Sequence, residues 1–564
     1  MNSTLRLIFW LLPLTVLTVV LLWNDRVPLG FPGEWTWGRH SYRVADLAWS
    51  TIMGGAGLLA YVLFVMWGDR CPAKTMAACS LKRTRNSGWL LGLVVAGFAW
   101  LWMAQSLANP QVGLAKGPWI IYSHSASGYY LQARYEVSST SDFLANYESL
   151  VSGEVTGERD VLHLGTHPPG LTVVLRGLIS LFQKFPALTD AVNATQPTSV
   201  SKQIEYIRRE SLQKGRPFDA ADSATLWGAF LLVQLSSALT VVPLYHWLRQ
   251  TESRITSWRA CALWPLVPAV AIFLPKSDTM FPMLAMTAGT LWRKSWRENR
   301  PFLGFLAGAV LWVSMCFSLA FLVVGVWLII QTLLDGKPGS ANQSSRPEIV
   351  SRSAAIQLGV GAFGFLLPIG LTWWGTGMNL VSVWHENYLN HALFYTHYQR
   401  SYVPWLLLNP FEISLAVGLP VMLAVVVSLR KTYWGVDERT GVRRLAVSSQ
   451  ADIGGAWGRS TAIPATFFVL GLLWITGKNS GEAARLWILF FPWIVACTAP
   501  CFRAANATLV GTTGSISGLS ASPMCEALAD RPSHWRWGTF LLAQGVISLA
   551  TVLKVDGFHL SPPN

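Results

Sequence analysis

The sequence predicts an all-α protein: a polytopic transmembrane helical bundle of about thirteen spans, with a large outer-face loop containing juxtamembrane helices. Two observations carry that expectation. The 564 residues are 52% hydrophobic and only 13% charged, with a mean hydropathy of +0.38, which is the composition of a polytopic membrane protein. The basic residues gather in short loops between apolar runs, as cytoplasmic loops do. That placement gives the net charge of +14 a topological meaning. It also argues against a nucleic-acid partner, since no basic stripe with interleaved aromatics stands out.

The elements follow in order. Residues 5–23 read as an uncleaved first span, because residues 27–39 offer no small-residue cleavage site. Residues 46–67 form the second, and Arg70, Lys74, Lys82, Arg83 and Arg85 mark the next loop as cytoplasmic. Residues 1–87 thus make two N-terminal spans and a basic loop. A core over residues 88–335 begins with the span 89–107, which exits into an outer loop, 109–222.

Within that loop Phe143, Leu144, Tyr147, Leu150 and Val151 recur at helical spacing, so Asp142 sits at the N-terminus of an amphipathic helix that Gly153 ends. The run Thr166-His167-Pro168-Pro169-Gly170 reads as a rigid turn, because two prolines fix φ and bias His167 towards an extended backbone. Residues 171–182 then form an apolar helix too short to cross a bilayer, which takes roughly 20 apolar residues. Reading it as interfacial keeps Arg249, Arg254 and Arg259 on the cytoplasmic side; a crossing would force them outside.

Residues 225–247 return inward with Asp222-Ser223 as a cap, 261–274 go out, and the turn Pro275-Lys276-Ser277-Asp278 leads into 279–291. Residues 302–334 are long enough for a hairpin of two spans. The remainder, 336–564, begins with a Gly/Ser-rich basic linker and holds spans at 354–374, 411–429, 462–476, 486–500 and 537–553. Its outer loops are 377–410 and 477–485, and its inner loops 430–459 and 504–522. The 29 tryptophans fit interfacial belts. Seven cysteines, at positions 71, 79, 261, 316, 497, 501 and 525, show neither a disulfide framework nor zinc-ligand spacing.

Charges that break the topological rule are the informative ones. Lys276, Arg400, Lys478 and Arg485 fall on the outer side beside span ends, where basic residues are scarce. Such cations suit a phosphate or pyrophosphate carried on a lipid; the competing reading pairs Lys276 with Asp278 and Arg485 with Glu482 locally. Asp142 is either a helix cap or a carboxylate that takes a proton from an acceptor hydroxyl or holds a divalent cation. His163 reads as a surface or packed histidine, whereas His167, pinned by the prolines, is the candidate for touching a ligand. His385, His391 and His397 are spaced six and six, unlike the i,i+4 pair of a helical metal site.

Taken together, residues 142–153, the Thr166-His167-Pro168-Pro169-Gly170 turn and the Lys276-Ser277-Asp278 turn resemble the GT-C membrane glycosyltransferases. The likeness is to the bacterial branch of aminoarabinose transferases, protein O-mannosyltransferases and RgtA/B/C/D-like sugar transferases, and it covers roughly residues 89–297. The family's usual adjacent acidic pair is absent here, since Phe143 follows Asp142, which leaves Asp142, Glu136 and Glu148 as alternatives for the catalytic acidic residue.

The resemblance implies an integral cell-membrane enzyme that moves a sugar from a polyprenyl phosphate donor to a lipid, glycan or protein acceptor, with inversion, on the outer face. In that scheme Asp142 is the general base, Lys478 and Arg485 stabilise the departing phosphate, and His167 with Asp278 shapes the sugar site. Lys276, Arg400 and Glu482 complete the substrate-binding candidates. Nothing in the sequence requires a cofactor, although some relatives use a metal ion and a divalent cation stays open. The rival class is a transporter or flippase; transporters bury charges within their spans, whereas here the ionisable residues collect in outer loops.

Overall fold

A computed structural model of the chain describes residues 3–70, 82–109, 113–155, 157–335, 352–433, 461–477, 480–503 and 534–557. The inner loop 504–522, most of the basic loop 430–459, the linker 336–351 and Lys478 lie outside the described residues. The described part is helical apart from two small antiparallel ribbons.

Six helices are long and apolar enough to cross a membrane: Val44–Arg70, Ser87–Leu107, Ala220–Leu248, Arg254–Ile272, Arg352–Thr376 and Trp537–Lys554. Val44–Arg70 has 27 residues, which at 1.5 Å each span about 40 Å, more than the roughly 30 Å of a hydrocarbon core. It leaves Trp49, Ile52, Leu59 and Leu63 exposed while Leu58, Tyr61, Val62 and Val65 are buried, so it is apolar all round, as a helix between lipid and protein is. The chain is therefore an all-α membrane protein. Two sharply bent pairs raise the number of candidate spans to eight if each pair is one span.

Both bends fall where the sequence reading differs. Residues 411–429 do not form one straight span: Tyr402–Val417 and Leu419–Arg430 meet at 104°. Gly418 between them has φ +100°, and a Cβ there would collide with the Gln544 side chain, which donates to the carbonyls of Val417 and Leu266. The apolar helix after the double proline is longer than expected, Gly170–Lys184, and turns through 107° into Pro186–Ala194. Residues 377–410 are not loop either; most of them lie in Leu380–His397 and in the start of Tyr402–Val417.

The segment between Ser87–Leu107 and Ala220–Leu248, roughly residues 113–219, folds as short helices against Ala220–Leu239. That helix starts at a capping box in which Asp219 is the cap and Asp222 closes the box, so the cap lies three residues earlier than the predicted Asp222-Ser223. Arg134 locks that segment onto it, its Nε 2.6 Å from Asp222 and its Nη2 3.4 Å from Asp219.

Ser3–Trp23 packs on His534–Lys554, and Gly38–Arg39 pairs with Val555–Asp556. Lys116 Nζ reaches Asp556 Oδ1 at 2.6 Å in an almost fully buried pair, and Lys116 opens the short helix Lys116–Tyr122 that forms one side of the site.

Candidate functional site

The predicted helix after Asp142 is two helices, Thr140–Ala145 and Tyr147–Val151, broken at Asn146. Ser139 is its cap, accepting from the Asp142 N–H, so Asp142 sits in the first turn instead of at the cap. Its side chain is exposed. Glu136 is exposed as well, and Glu148 accepts from the Ser382 hydroxyl.

The double-proline turn is held from several directions. His167 is extended, φ −124° and ψ 147°, as the following proline requires. Buried Asn387 donates to the carbonyls of Gly165 (2.7 Å) and His167 (3.2 Å), and buried Asn390 to those of Val151 and Gly165. Tyr147 Oη donates to the His167 carbonyl at 2.9 Å. Gly170 N–H donates to the Cys316 carbonyl at 2.9 Å, and a Cβ at 170 would lie 2.4 Å from that oxygen, so only glycine fits.

Beside this turn lies a cleft of about 810 Å³, its open mouth included. At its polar end are His163, His167, Lys276, Asp278 and Arg485, with Tyr129 and the hydroxyls of Ser127 and Ser277. Its flank is apolar. Leu171, Val174, Leu175 and Leu178 present one helical face of Gly170–Lys184, and Ala229, Leu232 and Val233 face them from Ala220–Leu239. Ile120 and Ile121 add a third side.

Four of the predicted residues, His167, Lys276, Asp278 and Arg485, thus come together from distant parts of the chain. Glu482 stands just behind them, its Oε1 3.2 Å from Arg485 Nη2, so the local i,i+3 pair does form. The other expected local pair does not. Lys276 Nζ donates to the Ala126 carbonyl and lies 3.2 Å from His163 Nε2, not against Asp278. Asp142 and Arg400 are not among the lining residues. Arg400 donates instead to the Glu34 carbonyl in the loop after the first helix. Burial raises the Glu34 carboxyl, but hydrogen bonds from Ser401 and Trp405 and the Arg400 charge outweigh it and hold the carboxyl low.

The electrostatics follow from enclosure. Burial first, then Arg485, pushes the Lys276 ammonium down to about 7, against the pull of Asp278 and Glu482. Arg485 loses by burial but gains more from Glu482, Asp278 and Tyr129, and its pKa is raised. Both histidines are kept neutral: burial, then the Lys276 and Arg485 charges, drives His163 well below its usual range, and burial takes His167 to about 4. His167 Nδ1 sits 3.2 Å from the His163 carbonyl, which can only accept, so Nδ1 carries the proton and Nε2 is left as an acceptor. Arg485 Nε is buried with no acceptor among the described residues.

Sequence reasoning missed Tyr129 and Ser127, and it left His163 as a surface or packed histidine. The one available signal was the polar, Tyr-rich stretch around them; Gly128, at φ +77°, makes the turn that presents Tyr129. Among the described residues no group of three or more His, Cys, Asp or Glu side chains converges as a metal site, and this holds for His385, His391 and His397. Comparison of the chain with protein-family models and with curated proteins returns no match.

Proposed function

We propose that the cleft takes the phosphate and first isoprene units of a polyprenyl-phosphate-linked sugar, and that the chain transfers this sugar to an acceptor hydroxyl. The observation that supports this most is the division of the cleft: Lys276 and an unsatisfied Arg485 N–H at one end, two apolar helix faces along the other. A soluble anion would use the first half only. An isoprenoid gains about 0.8 kcal/mol for each methylene it buries, so the apolar flank supplies affinity while the cations fix the head.

In this reading the acceptor oxygen attacks the anomeric carbon as the bond to the phosphate oxygen breaks. The electron pair leaves with the phosphate, whose charge Arg485 and Lys276 neutralise. The hydroxyl proton goes to a carboxylate. Asp278 takes that role here in place of Asp142, because it lines the cleft and Asp142 does not. His167 offers Nε2 to a sugar hydroxyl. The finer topology belongs to the same proposal: the shorter apolar helices also cross, giving about thirteen spans, and the cleft opens at the outer face of the cell membrane.

A carrier for the same amphiphile is the second reading, favoured by the two broken helix pairs, since transporters build sites from discontinuous helices. Proteoliposomes loaded with radiolabelled polyprenyl phosphate sugars separate the two. Transfer predicts glycosylated product that falls by about 100-fold or more in Asp278→Asn while donor binding persists, with Asp142→Asn near the unmodified chain. Donor that crosses the bilayer intact with no product overturns the transferase reading.

A further inference from the structure

The two apolar helix faces of the cleft run away from its polar end. Gly170–Lys184 starts at the double-proline turn, so Leu171 lies near His167 and Leu178 two turns further off. On the facing helix the Ser237 hydroxyl donates to the Thr279 carbonyl at 2.8 Å, next to Asp278, and Val233 and then Ala229 lie progressively further from that end. Both faces thus form one apolar arm leading off the charged head of the cleft.

Past Leu178 and Ala229 the arm is closed. The Phe182 ring, 5% exposed, packs on Ala221 and Ala224, with Leu178 against it. Two of its ring atoms lie 3.1 Å from the place a Cβ would take at Gly228, so the ring fills the space beside this glycine. Just beyond, the chain turns through 107° into Pro186–Ala194, and the Thr189 hydroxyl donates back to the Phe182 carbonyl at 2.6 Å. The arm therefore ends in a corner with Phe182 across it. Its side is open, because Leu232 lines the arm and is 41% exposed. From Leu171 to Leu178 the helix rises about 10 Å at 1.5 Å per residue. An extended chain advances about 1.2 Å per bond, since three backbone bonds cover about 3.6 Å, so about eight bonds fit before the ring, the main-chain length of two isoprene units.

We propose that Phe182 is a length stop: the arm holds the first two isoprene units of the lipid carrier, and the rest of the chain leaves past Leu232 into the bilayer. This rests on the reading of the cleft as a polyprenyl phosphate site and adds a selectivity to it. Carriers of two isoprene units or more are then bound alike, whatever their total length.

The test uses the full chain in phosphatidylcholine nanodiscs and prenyl monophosphates of four isoprene units, each with a diazirine in a different unit. All the probes have one length, so they partition alike into the bilayer, and only label displaced by a diazirine-free prenyl phosphate is counted. Units one and two should label the protein, unit two on the peptides that carry Leu178 and Ala229. Units three and four should label phosphatidylcholine. Phe182→Ala should open the corner and shift the unit-three label from lipid to the peptides spanning residues 182–189. Ala229→Leu, which narrows the arm, should drive unit two out into lipid and leave unit one in place. The two variants move the boundary in opposite directions, so if one does not fold the other decides. Displaceable labelling of the Phe182 peptide by unit three or four in the unmodified chain, or a boundary that the folded variants do not move, overturns the length stop and leaves the donor site standing. An absence of displaceable label at every unit overturns the donor site and the stop together.

Discussion

Lys276 is the residue on which the charge of the cleft turns. Arg485 is already paired with Glu482, and Asp278 adds a negative charge, so any cationic excess comes from the Lys276 ammonium. That group titrates near 7 because burial and Arg485 disfavour its charge. The sign is fixed: the ammonium is charged below about 7 and neutral above it. Affinity for a polyprenyl sugar phosphodiester, whose own charge is constant, should therefore fall as pH rises from about 6 to about 9. The limiting slope approaches tenfold per pH unit if binding requires the charged form. Calorimetric titration across that range checks it, and Lys276→Met should flatten the curve.

At this scale the sequence exposed His167, because its prolines constrain it, and Lys276, Asp278 and Arg485, because charges at span ends are unusual. It did not expose Tyr129 or His163. Their roles depend on neighbours more than 30 residues away, such as His163 with Lys276. It also favoured Asp142, whose position in a first helical turn is a local property shared by many exposed acids.

Among the elements, the double-proline turn is the most constrained. Its prolines set the entry to Gly170–Lys184, and the hairpin of Pro301–Met315 and Phe321–Asp335 supplies the Cys316 carbonyl that abuts Gly170. Gly170→Ala places a Cβ 2.4 Å from that oxygen, a backbone atom that cannot swing aside. The substitution should lower stability by about 1–3 kcal/mol, as overpacking does, and read out as a lower midpoint of thermal unfolding in detergent. A midpoint equal to that of the unmodified chain would show that the hairpin yields. The turn was legible because Pro and Gly act locally. The 104° bend at Gly418 was not, because Gln544, more than a hundred residues later, occupies the space beside it.

Over the whole molecule, ion pairs tie distant helices. Arg259 meets Asp69 in a bidentate pair, 2.7 and 3.0 Å, with both side chains at most 3% exposed. It joins the end of Val44–Arg70 to Arg254–Cys261. Removing one partner strands a buried charge, so Arg259→Met should cost about 3–5 kcal/mol, and the double variant Arg259→Met with Asp69→Leu should regain most of that. Thermal unfolding of the two variants measures the difference; equal losses would mean the pair contributes only packing.

The sequence by itself determined the class of the protein and the places of most of its helices. Apolar runs of span length have no other low-energy state than helices in lipid, and prolines and glycines mark where those helices stop. Only the tertiary structure decided which charges share a cavity. The grouping of His167, Lys276, Asp278 and Arg485, and the exclusion of Asp142 and Arg400 from it, is set by helix packing between segments far apart in the chain. Residue spacing does not encode that packing.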